Sequence, residues 1–256
     1  MGQFHQPTEF CTFWEENISV RGVFVTGTGT GVGKTLIAAG LLKALRNAGV
    51  NALPAKPVQT GCHRTDGRLS APDLEFSISV AELRTDTLLL DLMCPFRYSQ
   101  ACSPHLAGRL SGVMPDIKTI HRKMEKLSYS CDFIVAEGAG GVMVPINESE
   151  KMLDLMVDLK WPVILVARGE LGTINHTLLS LEALHNAGMV IAAVIVNHIS
   201  ADTSIVTKDN PGAIAKFGEV SLVMEISYIP DPLESGSNVP FMKNMLIMAE
   251  SILEER

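Results

Sequence analysis

The sequence predicts an α/β fold: a parallel β-sheet flanked by helices on both faces. Three observations predict it. Short apolar runs without polar alternation recur along the chain, and such runs suit strands buried on both sides. Segments with helical spacing of apolar residues separate them. Polar or glycine-rich residues stand where the runs end, which is where open α/β sheets bind their ligands.

The first run, Gly22–Thr26, reads as a strand. Thr35–Asn47 follows with Leu36, Ile37, Leu41, Leu42 and Leu45 at helical spacing, and Gly49 is placed to cap it. Asn51–Val58 reads as a second strand. Pro115–Leu127 reads as an amphipathic helix leading into a strand at Asp132–Ala136. Met152–Leu159 then reads as a short helix, Pro162–Ala167 as a strand, Ile174–Asn186 as a helix and Val190–Asn197 as a strand. Four of the strand ends carry Gly27–Thr35, Lys56, Glu137 and Asn197.

A length of 256 residues fits one such domain, expected over residues 21–256. Residues 1–20 lack a basic start followed by an apolar block and read as a flexible extension rather than a signal peptide. Hydrophobic residues make up 46% of the chain, enough for a sizeable core. The net charge of −7 comes without a basic stripe, which argues against a nucleic-acid partner. The apolar runs Trp161–Ala167 and Val190–Val196 are far too short to span a bilayer, so no membrane association is expected. Five cysteines, an odd number with no CxxC pair, suggest neither a disulfide framework nor a zinc site. A reducing, cytoplasmic setting is expected.

The most informative segment is Val23–Thr35, VFVTGTGTGVGKT. A buried strand enters a glycine-rich turn, and Gly33-Lys34-Thr35 opens a helix. This is the context of a phosphate-binding P-loop. Glycines let the backbone curl so that its N–H groups face inward, and the helix N-terminus adds to the attraction for phosphate oxygens. Lys34 would reach the β- and γ-phosphates, and the Thr35 hydroxyl would ligate Mg²⁺. Gly27 stands six residues before Gly33, one more than the strict pattern has. In the partitioning branch of P-loop proteins a lysine follows the first loop glycine; here that position is Thr28.

Other strand ends add side chains. In AKPVQTG, Lys56 can bridge a nascent carboxylate and a γ-phosphate, or can be a loop lysine. Asp73, after Pro72, reads either as the acid of a helix N-terminus or as a metal ligand. In FIVAEGAGGVMVP, Glu137 follows a buried strand at a Walker-B type of position, and Gly138, Gly140 and Gly141 permit close approach of a ligand. Asn197 offers both a donor and an acceptor, which suits an adenine edge and equally a turn. The start of the helix after Gly169, GELGTINH, reads either as an anion site or as a plain turn.

Laid out together, these pieces resemble the dethiobiotin synthetase family. FVTGTGTGVGKT, AKPVQTG, the Asp73 region, SPH at Ser103–His105, VAEGAGG, PVILVA with LGTINH, and VNH at Val196–His198 occur in the family's order. The resemblance runs from Gly22 to Ile199 and extends to the extra loop residue. It implies a P-loop NTPase type of fold and a homodimer. The activity it implies is Mg²⁺-dependent closure of the ureido ring of dethiobiotin from 7,8-diaminopelargonic acid (diaminopelargonate), CO₂ and ATP. It implies catalytic roles for Lys34 and Lys56, and metal ligation by Thr35, Asp73 and Glu137. Nucleotide contacts are implied for Gly31, Val32, Gly33, Lys34, Thr35, Leu36, Asp73, Glu137, Gly138, Ala139, Gly140, Asn197 and His198, with the Pro230-Asp231 turn beside the base. Substrate contacts are implied for Thr30, Lys56 and Thr60, and for Leu171, Gly172, Thr173 and Asn175 across the dimer interface. Thr60 stands where some members have serine and keeps the hydroxyl, and two positions depart further from the pattern. Gly29 stands where many members have an acid, and Glu170 stands where some have lysine. Glutaminase-bearing amidation enzymes of similar chemistry are longer and need a nucleophilic cysteine, for which this chain has no context.

Overall fold

A computed structural model of the chain describes residues 21–65, 67–201, 205–232 and 238–254. The extension expected at residues 1–20 lies outside the described residues. In chain order the elements are β1 (Gly22–Gly27), α1 (Lys34–Asn47), β2 (Ala52–Ala55), β3 (Val58–Gln59), β4 (His63–Thr65), β5 (Arg68–Ser70) and α2 (Pro72–Val80). There follow α3 (Thr87–Met93), β6 (Phe96–Arg97), α4 (Pro104–Ser111), α5 (Ile117–Ser128), β7 (Phe133–Glu137), α6 (Met152–Leu159) and β8 (Val163–Arg168). The chain continues through α7 (Thr173–Asn186), β9 (Ile191–Asn197), α8 (Ile205–Gly218), β10 (Val223–Ile226) and α9 (Val239–Glu254).

The main sheet has six strands in the order β10-β9-β8-β1-β7-β2, and every pairing in it is parallel. Its apolar runs do not alternate with polar residues because both faces are covered. Along β1, Val23 and Val25 face a layer built with Ile37, Leu41 and Leu45 of α1 and Phe241, Met245 and Met248 of α9. Phe24 faces the opposite layer, with Ile120 and Met124 of α5, Leu155 of α6 and Leu181 of α7. A strand with period two supplies both cores at once, so neither face has room for polar residues.

Local chemistry places the element ends. Asp116 accepts from the Thr119 N–H at 2.8 Å and starts α5, two residues later than the Pro115 start expected from the sequence. Gly49, with φ of +85°, takes the left-handed position just beyond the Ala48 C-cap of α1. Asn51–Val58, expected as one strand, is two. β2 pairs with β7 at the sheet edge, whereas Val58–Gln59 pairs with Phe96–Arg97 in a separate two-stranded sheet. Lys56 and Pro57 lie between them, and that break turns Lys56 out of the ladder and over the carboxyl end of the sheet.

The chain passes from β1 to β2 on one side, then from β7 back across β1 to β8, β9 and β10. The reversal puts the loop after β1 between the ends of β7 and β8, in the crevice such a sheet offers to ligands.

Candidate active site

The loop between β1 and α1 begins with the Thr28 N–H donating to Val166 at 2.9 Å. It ends at Gly33, the N-cap of α1, whose φ of +101° strains any residue with a Cβ. Lys34 is buried, and its Nζ donates back to the Gly29 carbonyl at 2.8 Å. Thr35 Oγ1 donates to Glu137 Oε1 at 2.9 Å, which ties the start of α1 to the end of β7.

Beneath the loop lies a cluster of charge. Lys56 is 3% exposed. Its Nζ reaches Glu137 Oε1 at 2.7 Å, Asp73 Oδ2 at 2.7 Å and the Gly138 carbonyl at 3.1 Å. Glu137 is also 3% exposed, whereas the Asp73 side chain keeps 31% of its surface. Asp73 is not the cap of α2: that position is Ala71, and Pro72 opens the helix. Its carboxylate goes instead to Lys56 and to Gln59, whose Nε2 donates at 3.2 Å while its Oε1 accepts the Asp73 N–H at 3.3 Å. Gln59 was not singled out from the sequence, although it stands inside the AKPVQTG motif.

Burial sets the electrostatics. It lowers the Lys34 pKa to about 8, and the positive charge of Lys56 adds to the effect against Glu137 and Asp73. At Lys56 burial is outweighed by Glu137 and Asp73, and the ammonium is held above its ordinary value. At Asp73 burial is outweighed by Lys56, with help from Gln59, so the carboxyl sits below its usual range. At Glu137 burial wins over Lys56 and raises the carboxyl.

These groups line one cavity of about 910 Å³. Thr30, Gly31, Gly33, Lys34, Thr35, Leu36, Lys56, Thr60, Asp73, Glu137, Ala139 and Gly140 all face it, so most of the residues picked from the sequence meet in one place. Phe76, Cys102, Ser103, Pro104 and Val144 form part of its wall. Of these, only Ser103 and Pro104 carried a sequence signal, as part of SPH. Two cations, two carboxylates and four hydroxyls around one space can hold an anion together with a divalent ion.

Other sequence-picked residues lie elsewhere. Val32 and Asn197 are buried behind the loop, with Asn197 Nδ2 donating to the Val32 carbonyl at 3.0 Å. His198 covers Gly169, and its Nε2 is 4.0 Å from Glu225. Pro230 and Asp231 are exposed, although Pro232 reaches the cavity wall. Leu171, Gly172, Thr173 and Asn175 form the start of α7, with Leu171 88% exposed, and none lines the cavity of their own chain.

Comparison with known proteins assigns the sequence to a family. The family described as "AAA domain" matches residues 21–234. An ATP-dependent dethiobiotin synthetase BioD from Thermodesulfovibrio yellowstonii is 37% identical over 218 residues, covering 82% of this chain and 90% of the relative. The chain belongs to the dethiobiotin synthetase family. A second member, from Anoxybacillus flavithermus, is 34% identical over 211 residues, covering 82% of this chain and 93% of the relative. Membership makes the chain an enzyme of the ligase class. Among solved structures, the cell division ATPase MinD of Pyrococcus furiosus superimposes with a TM-score of 0.63 at 18% identity, covering 92% of this chain and 99% of that one. A ParA family ATPase from Chlorobium tepidum gives 0.54 at 17% identity, covering 90% and 98%. These likenesses bear on the fold alone: this dethiobiotin synthetase family member shares the P-loop NTPase architecture. Among the described residues no helix is long and apolar enough to cross a membrane.

Proposed function

We propose that the chain closes the ureido ring of dethiobiotin from 7,8-diaminopelargonic acid and CO₂, with ATP as co-substrate and Mg²⁺ as cofactor. Lys56 carries the reading. A buried ammonium stands 2.7 Å from each of two carboxylates, in the same cavity as Lys34 and Thr35 of the phosphate loop. A surface lysine needs no such setting. A lysine that meets charge developing between two substrates does, because a dry, fixed cation acts far more strongly than one in water.

The chemistry follows from balance of charge. One amine of the diamine takes up CO₂ as a carbamate. A carbamate oxygen then takes the γ-phosphoryl group of ATP, and ADP leaves. The second amine attacks the carbamate carbon, the ring closes and phosphate departs. Every stage concentrates negative oxygen near the loop, where Lys34 and Lys56 spread the charge and the hydroxyls of Thr30 and Thr60 orient the carbamate or diamine. No side chain needs to form a covalent bond.

Mg²⁺ fits the donors present. Thr35 Oγ1 and Glu137 Oε1 are 2.9 Å apart, and Asp73 Oδ2 shares Lys56 with Glu137. Three hard oxygen donors thus converge without sulfur or nitrogen among them. Bound there, the ion would neutralise charge on phosphate oxygens. The exposed start of α7 is assigned to the cavity of a second copy in a homodimer, holding the carboxylate tail of the diamine. The support is that Leu171 and Asn175 are exposed and stand apart from their own cavity. Glu170 in that turn weakens the tail site relative to a lysine.

The test is substrate dependence. ATP turnover should require the diamine and bicarbonate together; turnover stimulated instead by DNA or lipid vesicles would overturn the assignment.

A further inference from the structure

The peptide unit is planar and trans, so a carbonyl pinned on one side fixes the following N–H on the other. A phosphate-binding loop needs its N–H groups turned inward, and whatever grips its carbonyls from outside holds it in that state. The carbonyl before Gly33 belongs to Val32, and among the described residues one side chain takes it: Asn197 Nδ2, at 3.0 Å. Asn197 is 3% exposed and does not line the cavity.

We infer that Asn197 is a positioning residue of the phosphate loop, acting through the Val32 carbonyl to aim the Gly33 N–H at the phosphates. This rests on the reading that the loop binds a triphosphate. Three further observations support it. A Cβ on Gly33 would stand 2.1 Å from Asn197 Nδ2, so the carboxamide is packed directly against the loop backbone. Asn197 is itself fixed: β9 is paired on both sides, with Arg168 and Ile226 as its partners, and its carbonyl accepts the Gly169 N–H at 3.0 Å. Gly169 is held in turn by the buried Asn210, whose Nδ2 donates to its carbonyl at 2.7 Å. A chain of hydrogen bonds therefore runs from α8 through the β8–α7 turn to the loop. Another grip from outside the loop, Arg168 to the Thr30 carbonyl at 3.3 Å, comes from an exposed side chain and contributes less, and Lys34, which holds the Gly29 carbonyl, belongs to the loop itself.

A loop brace and a base reader make different demands on Asn197. The brace acts on the phosphates alone, so it must matter equally for a ligand without a base. Calorimetry of Mg-tripolyphosphate and MgATP with the full chain, for the native protein and for Asn197→Asp and Asn197→Ala, separates them. Each variant should weaken both ligands by about tenfold, the scale of one buried hydrogen bond, while KM for the diamine stays within about twofold. Loss of ATP affinity with tripolyphosphate binding intact would overturn the brace, as would no loss for either ligand. If neither variant folds, the native carboxamide protons decide. They should be protected from exchange with water and shift on addition of tripolyphosphate. Rapid exchange, or protection without a shift, would overturn the inference. A native protein that bound neither ligand would refute the proposed function itself, a separate outcome.

Discussion

Lys56→Ala is the most informative single change. It removes the ammonium from Glu137, Asp73 and the Gly138 carbonyl together. The limb to Glu137 is buried at both ends, with side chains 4% exposed each, whereas Asp73 keeps contact with water and with Gln59. Only the Glu137 limb therefore counts as a broken buried pair, at about 3 kcal/mol. In a chain of this size that lowers Tm by about 6–12 °C. The burial that already raises Glu137 then acts without its strongest opponent. Its carboxyl rises further, and because a raised acid weighs on the folded state above its pKa, the loss of stability shrinks as pH falls. The chemical effect is larger. Losing one fixed group that meets developing charge costs about a hundredfold to a thousandfold in rate. ATP affinity should fall less than about threefold, because Lys34 and the loop amides remain. Single-turnover phosphoryl transfer with diamine and bicarbonate, run well below the lowered Tm, measures it. Near-native turnover in the variant would refute the role given to Lys56.

Other consequences are as direct. Glu137→Gln keeps the shape beside Thr35 but removes a charge, and the Mg²⁺ concentration for half-maximal activity should rise about tenfold; an unchanged Mg²⁺ titration would take Glu137 out of the metal site. Lys34 is lowered to about 8 by burial and by Lys56, so at pH 9 most of the free protein has lost that proton and ADP binding in chelator should take it up. Calorimetry in buffers of different ionisation enthalpy should show uptake at pH 9 and little at pH 7; no difference would refute it. Gly33→Ala forces a Cβ to 2.1 Å from Asn197 at a φ of +101°, and should abolish measurable nucleotide binding.

The strands were legible because burial on both faces writes itself as an uninterrupted apolar run, and β1, β7, β8 and β9 fall within two residues of where those runs lie. The split of Asn51–Val58 was legible only in part: Lys56 reads as a strand end before Pro57, but Val58 is as apolar as the strand before it, and only the three-dimensional path shows it joining Phe96. β10 went unread: Val223–Ile226 is a half-exposed edge strand interrupted by Glu225, too short for its pattern to stand out. At the site, Lys34, Thr35 and Glu137 could be read because motif chemistry fixes residue type at fixed spacing. Gln59 could not, because its partner is Asp73, fourteen residues away, and the pairing exists only once α2 packs over the strand end. The same limit hid the brace at Asn197, whose partner in the loop is 165 residues distant.

On the proposed function, this cavity builds a ring from CO₂. Carbamates lose CO₂ in acid, whereas a closed ureido ring does not. Incubation with labelled bicarbonate, diaminopelargonate and MgATP, followed by acid quench, should leave one label in acid-stable product for each ADP formed. ADP formed without acid-stable label would rule out ring closure by this protein.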